Sequence, residues 1–346
     1  MVAGAGFVGL SGDTWMGINK ETAYGTKVGP TSAENFLFLS ENLHAEKPVI
    51  PVPNIAAAFS DLAQVFSGAT VVSGDIEVAV PYEGLENLLL HCMGTSSAVS
   101  AGSGSFTNTM DLTSRGRFRS TTSPALTFHM SRGVVGSGAT NPTVFSYEGC
   151  VVDSFTFSCG RDQPLKLKVT LFGQDETVAA YSGSTSFPTA PIANFTECQV
   201  TWGATAIPVT EFSVTCTRDI DKGRIFGGST TTEEPPMAQY DVTGTMTTEW
   251  DNEKRVGTST LRDDYQNKTP RTFVFKFFGP GISGTAKNYQ FFIHLAQARI
   301  SSFPVSVSGR GRVTVPVAFK GWDSDVTTAP HDLRLILQNA RNFVDN

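Results

Sequence analysis

Residues able to do chemistry are sparse in this chain, and their spacing argues against most chemistries. Gly4, Gly6 and Gly9 stand in the G-x-G-x-x-G spacing that lets a backbone approach a dinucleotide pyrophosphate. That spacing works only where a strand runs into the first glycine, a helix starts at the third and a carboxylate follows about 20 residues on. Here Met1, Val2 and Ala3 alone precede Gly4, Gly12 and Gly17 oppose a helix after Gly9, and no strand-helix-strand pattern follows. The glycines are read as part of a flexible N-terminal arm, and no cofactor is expected. His44, His91, His129, His294 and His331 fall in five different segments, and no serine sits in a G-x-S-x-G elbow. Cys92, Cys150, Cys159, Cys198 and Cys216 contain no C-x-x-C pair, so neither a zinc nor a redox site is expected. They predict free thiols from a reducing cytoplasm. The chain is read as not an enzyme.

Charged clusters are few. Arg115-Gly116-Arg117-Phe118-Arg119 is the one basic group, suited to an acidic face of a neighbouring subunit or to phosphate, with a solvated loop as the bland alternative. Asp75 and Glu77 alternate with Ile76, Val78 and Val80, so one face of that segment is core and the other is solvent, an interface or a lining. The net charge of −6, from 26 Lys and Arg against 32 Asp and Glu, opposes a protein that grips nucleic acid. No basic-then-apolar leader and no bilayer-length apolar run is seen, so no membrane association is expected.

The elements that must position these residues are strands. Charged residues make up only 17 %, while 33 Gly, 18 Pro and a surplus of Ser, Thr, Val and Phe predict a mainly β chain, and 346 residues suffice for two domains. An internal duplication organises them. Phe155 aligns with Phe303 at an offset of 148 (303 − 155), and the match holds from Tyr147 over Leu295 to Asp175 over Asp323. Within it, Leu165, Leu167, Val169 and Leu171 fall over Val313, Val315, Val317 and Phe319, a period of two that means strands with one buried face. The turns at 160–163 and 308–311 close a hairpin in each copy. Upstream, Val72-Ser73-Gly74-Asp75 resembles Val242-Thr243-Gly244-Thr245, at an offset of 170 (244 − 74), so copy one carries extra chain assigned to a Ser/Gly-rich loop at 94–123. Helices are expected at 82–93, where Leu85, Leu88, Leu89 and Cys92 form a stripe, at 251–266 in copy two, at 54–66 and at 332–344. Pro316, inside a strand pattern, requires an edge or a bulge. Two tandem β-sandwiches, each flanked by a helix, fit this order: an arm at 1–35, a first domain at 36–180 and a second at 181–346.

Gly17-Ile18-Asn19-Lys20-Glu21-Thr22-Ala23-Tyr24-Gly25-Thr26, then Phe36-Leu37-Phe38-Leu39-Ser40-Glu41-Asn42-Leu43, resembles the opening of the tail tube proteins of long-tailed phages. The segment from Gly74-Asp75-Ile76 to Met93-Gly94, and Phe145 to Phe155, continue the resemblance in order. It implies a structural virion protein, made in the host cytoplasm, whose strands join across subunits into a barrel around a lumen. A duplicated chain implies trimeric rings stacked into a tube, with tape measure and tail-end proteins as partners and DNA passing through unbound. On that reading Asp75, Glu77, Thr245, Thr247 and Glu249 line the lumen, and Lys166 and Lys168 face outward or pair with acids. Arg115, Arg117 and Arg119 touch a neighbouring subunit or ring. The alternatives are a tail terminator, a head decoration protein, or a carbohydrate-binding attachment module. The last would display clustered aromatics, whereas Trp15, Trp202, Trp250 and Trp322 are scattered.

Overall fold

The computed structural model describes residues 14–53, 62–112, 123–132, 143–180, 186–218, 220–222, 224–226, 229, 231–236, 239–250, 255–256, 259–305, 313–321 and 333–343. Copy one runs through β1 (Thr14–Lys20), β2 (Glu34–Phe36), β3 (Ser40–Glu41), β4 (His44–Glu46), β5 (Val49–Pro53), β6 (Leu62–Ser67), β7 (Val71–Ala79), α1 (Glu86–Met93), β8 (Gly94–Gly102), β9 (Ser105–Leu112), β10 (Leu126–Arg132), β11 (Thr143–Gly160), β12 (Lys166–Gly173) and β13 (Asp175–Ala180). Copy two follows with β14 (Cys198–Trp202), β15 (Thr205–Ile207), β16 (Val209–Arg218), β17 (Tyr240–Glu249), β18 (Arg255–Val256), β19 (Ser259–Thr260), α2 (Leu261–Asn267), β20 (Arg271–Gly281), β21 (Asn288–Ser302), β22 (Thr314–Gly321) and β23 (Arg334–Asn339). The chain is mainly β, in antiparallel sheets of sandwich type, as expected.

The duplication is visible in pairing as well as in sequence. β7 pairs with β12 and β12 with β11, as β17 pairs with β22 and β22 with β21. A bulge between Val152 and Ser154 recurs, 148 residues on, between Ile300 and Ser302. β1 on β10 matches β14 on β20, and β13 on β11 matches β23 on β21, so the repeat reaches further in both directions than the sequence reveals.

Two layers enclose one core. The first is a sheet in the order β3/β4–β7–β12–β11–β16–β17–β22–β21, which passes from copy one to copy two without interruption. The second lies across it in two parts, β2–β1–β10–β11–β13 and β15–β14–β20–β21–β23–β9–β8. The long strands β11 and β21 bend at their bulges and belong to both layers, which is how a sandwich turns a corner. Between the layers, Phe212 of β16 stacks on Phe275 of β20 with ring centroids 4.0 Å apart, and Phe319 of β22 meets Phe273 of β20 edge-on at 4.6 Å. One large cluster holds buried residues of both copies, with two small ones apart from it, around Val151 and Phe172 and around Trp15 and Val144.

Several expected elements are different in kind. The 332–344 helix is strand β23: Leu333, Leu335, Leu337 and Asn339 are buried alternately, and β21 and β9 supply backbone partners on both sides. Of the 54–66 helix, the described part from Leu62 is β6, paired with β5 from Val49↔Ser67 to Pro53↔Leu62, because a preceding extended segment offers it a ladder. The loop at 94–123 is in its first part the hairpin β8–β9, turned at Gly102-Ser103-Gly104, all three with positive φ. Of the arm at 1–35, Thr14–Lys20 and Glu34–Phe36 are strands, while residues 1–13, and with them Gly4, Gly6 and Gly9, lie outside the described residues. The helix expected at 82–93 is α1, which starts only at Glu86, and that of 251–266 is α2, preceded by the short pair β18–β19. In α2, Asp264 is buried and accepts from Trp202 Nε1 at 2.9 Å and Arg271 Nε at 3.2 Å, which ties the helix to β14 and β20. Pro316 stands beyond the last β21 pairing, Ser302↔Ala318, where no described strand pairs with that side of β22, as its missing donor requires.

A buried polar row links β1, β10 and β11. His129 is fully buried, with Nε2 3.2 Å from Asn19 Nδ2 and Nδ1 3.0 Å from Ser146 Oγ. Burial, with Lys27 nearby, pulls its pKa down to about 4 from 6.5. A group depressed on folding contributes stability that is present above pH 6.5 and lost as pH falls through 4, up to about 3 kcal/mol for this shift. Urea titrations between pH 7 and 4 should show this loss, and His129→Gln should lack it. An equal loss in the variant would place the sensitivity elsewhere.

Candidate functional site

The first layer is two-faced. Toward the core it presents Ile76, Val78, Leu167, Val169, Phe155, Phe157, Val214, Cys216, Val242, Met246, Val317 and Phe319, all buried. The alternate residues of the same strands make the opposite face, and they are mostly hydroxyls and charges, with Ala79, Pro316 and Ala318 among them. Across the strands, register sets Glu77 beside Lys168, Lys168 beside Thr156, Thr156 beside Thr215, Thr215 beside Thr243 and Thr243 beside Lys320. The next rung holds Lys166, Ser158, Ser213 and Thr245. This polar face crosses the junction between the copies, where β11 residues Ser154–Gly160 pair with β16 residues Glu211–Thr217.

Its polar groups bond to one another. Thr156 and Thr215 hydroxyls are 2.9 Å apart, as are those of Ser213 and Thr245, and Thr247 Oγ1 donates to Glu211 Oε1 at 2.9 Å. Lys168 Nζ lies 2.9 Å from Asp75, Lys166 Nζ 3.3 Å from Glu77 and Lys320 Nζ 2.8 Å from Asp241. Partial burial works to raise the Asp75 carboxyl, but hydrogen bonds from Thr170 and Lys168 outweigh it and hold the group below the usual carboxylate range. Pairs this exposed add little stability. Their effect is local: a wall whose charges are largely neutralised and whose hydroxyls are already bonded.

The sequence-predicted residues fall on this wall. Asp75, Glu77, Thr245, Thr247 and Glu249 lie on one face of one sheet, from β7 to β17, and Lys166 and Lys168 share that face and pair with its acids. Arg115, Arg117 and Arg119 lie outside the described residues. Two exposed apolar groups carried no signal of their own in the sequence. Leu37 and Leu39, 65 % and 51 % exposed, stand at the free end of the first layer, where β3 pairs with β7 alone among the described strands. Val49, Ile50, Val65 and Phe66 are exposed on the hairpin β5–β6. In sequence they read as ordinary core hydrophobes, since periodicity reports a buried face without saying whether the same chain buries it.

Among the described residues no group of His, Cys, Asp or Glu is placed to hold a metal, and no helix is long and apolar enough to cross a membrane. The cysteines are free thiols, and burial pushes Cys92 and Cys198 up to about 12, away from nucleophilic use. Trp15 and Trp202 are buried, so they form no exposed aromatic platform.

The described residues thus form a duplicated sandwich with a polar sheet face, an open strand end and an exposed apolar hairpin. The chain belongs to the phage tail tube protein family, whose model matches residues 13–330. That family places it among virion tail components. No curated protein matches the chain.

Proposed function

We propose that three chains close into a ring with six quasi-equivalent sandwiches, and that rings stack into the tail tube through which DNA is ejected. The observation that carries this reading is the junction β11–β16. It is an edge-to-edge strand pairing that joins copy one to copy two and continues both faces of the sheet. The offset of 148 puts Ser302 and the residues after it where Ser154–Gly160 stand, and the match of β3–β7 to β16–β17 puts Ser40 where Glu211 stands. By this correspondence the side of copy two on which β21 ends, at Ser302, is the side that would meet the β3 edge of the next chain. Repeating one junction closes a ring and leaves the first layer no edge. Each copy acts as one pseudo-subunit, 36–180 and 181–346.

In that ring the polar face lines the bore. Asp75, Glu77, Glu211, Asp241 and Glu249 outnumber Lys166, Lys168, Lys320 and Arg299 by one, so the wall is close to neutral and slightly acidic, and with screening over about 8 Å at physiological salt only DNA close to it feels the charge. Phosphates find few free donors. The apolar hairpin β5–β6 supplies contact area between rings, and tape measure and tail-end proteins occupy the bore and tube ends. Sedimentation and electron microscopy of the purified protein should reveal particles of three chains and stacks of them. Monomers under every condition, with no rings in virions, would overturn the reading.

The wall has its own test. Asp75→Lys with Glu77→Lys makes the bore basic and should slow DNA ejection about tenfold or more at low salt, with the delay shrinking as salt rises. Unchanged ejection from tubes carrying the double variant would place these residues off the DNA path.

A further inference from the structure

The two copies differ at one edge. In copy two, β23 pairs on one side with β21 and on the other with β9, which belongs to copy one. Side chains lock that second pairing: Arg334 Nε donates to Asp111 Oδ1 at 2.6 Å, and Asn108 Nδ2 donates to Asn339 Oδ1 at 2.9 Å. Leu335 and Leu337 are buried beneath it. β13 is the counterpart in copy one, pairing with β11 as β23 pairs with β21. Val178, opposite Phe145, stands where Leu335 stands opposite Ile293, and Ala180 stands where Leu337 stands. Yet no strand covers the outer edge of β13 among the described residues, Val178 is 53 % exposed and Ala180 is exposed.

The cause is the inserted hairpin. Copy one carries β8–β9 between α1 and β10, and this hairpin reaches over to cover β23, whereas only Lys268, Thr269 and Pro270 separate α2 from β20 in copy two. Each chain therefore makes two strand-accepting edges and one hairpin to cover them. β13 also continues the β12 side of β11, from Val151↔Phe172 to Glu148↔Asp175, while β16 pairs on the opposite side. It faces away from its own copy two and toward the β3 end of the first layer.

We propose that β13 is a second subunit contact, an open edge to which a neighbouring copy of this chain adds an extended segment on assembly. The inference rests on the ring reading, because that reading places copy two of the next chain beside β3 and hence beside β13. The partner is fixed by the pseudo-symmetry: the equivalent edge, β23, is already covered by the adjacent copy. Strand addition would satisfy the bare amides and bury Val178 and Ala180, as β9 does for β23.

Hydrogen exchange on dissociated subunits and on assembled tubes tests this. The amides of β13 that point away from β11 should slow on the order of 100-fold on assembly, together with those of residues 37–41. Tubes in which 37–41 slow but β13 does not would overturn this inference and leave the ring standing. If residues 37–41 stay fast in tubes as well, the ring reading fails and takes this one with it. Val178→Lys, at an exposed position, should leave the subunit folded and weaken assembly about tenfold or more. Assembly at the wild-type concentration would count against the contact.

Discussion

Changing Leu37 and Leu39 together to aspartate should leave a folded subunit that no longer forms rings. Both side chains are more than half exposed in the isolated chain and belong to no core cluster, so the substitution removes little internal packing and should change stability by no more than about 1 kcal/mol. In the proposed ring these residues would lie along the β3 edge that receives the next chain. Burying two leucines there is worth about 1.5–3 kcal/mol each, and two carboxylates would have to shed water instead. Association should weaken at least about 100-fold, equivalent to about 3 kcal/mol. The midpoint concentration for assembly by light scattering measures it. Tubes at the wild-type midpoint would show that this edge stays free.

Gly244→Val should cost about 4 kcal/mol or more of subunit stability. Gly244 sits on the core side of β17, between β16 and β22, and a Cβ there would come within 2.2 Å of the Phe319 ring and 2.6 Å of the Ser213 carbonyl oxygen. The ring cannot simply swing aside, since Phe273 abuts it at 4.6 Å. The counterpart Gly74 is crowded differently: its φ is +151°, and a Cβ would meet the Asn42 carbonyl oxygen and Leu43 Cα, each at 2.7 Å. The duplicated glycine stands at matching positions of β7 and β17, but what crowds it differs: the chain between β3 and β4 at Gly74, and the Phe319 ring with the β16 backbone at Gly244. Phe319→Leu should recover part of the Gly244→Val loss, because the two positions share one space. A variant destabilised by less than about 1 kcal/mol would mean that the layers yield more easily than this packing implies.

These two sites also mark what was legible in the sequence. The period-two runs at 165–171 and 313–319 name the buried residues of β12 and β22, and the Gly74 and Gly244 alignment places β7 and β17 correctly. The alternation of Asp75 and Glu77 with Ile76 and Val78 identifies the polar face. Where the reading went astray, two periods fitted the same residues. In Leu333-Arg334-Leu335-Ile336-Leu337-Gln338-Asn339 the apolar positions satisfy a helical stripe as well as strand alternation. The deciding factor was a partner, since β9 and β21 offer ladders on both sides. That partner comes from 223 residues away at the Arg334–Asp111 pair, and no local pattern carries it. The β8–β9 hairpin shows the same limit, as its Ser, Gly and Ala content resembles a loop and only the docking on β23 makes it a sheet.

Cryo-electron microscopy of the assembled tube is the most direct measurement of the central claim. The account predicts three chains per ring, with the sheet β7–β12–β11–β16–β17–β22 continued across every chain boundary at the β3 edge. Asp75, Glu77, Thr245 and Thr247 should face the bore. A ring of six chains, or a tube in which this polar face lies outside and chains meet through other edges, would contradict it.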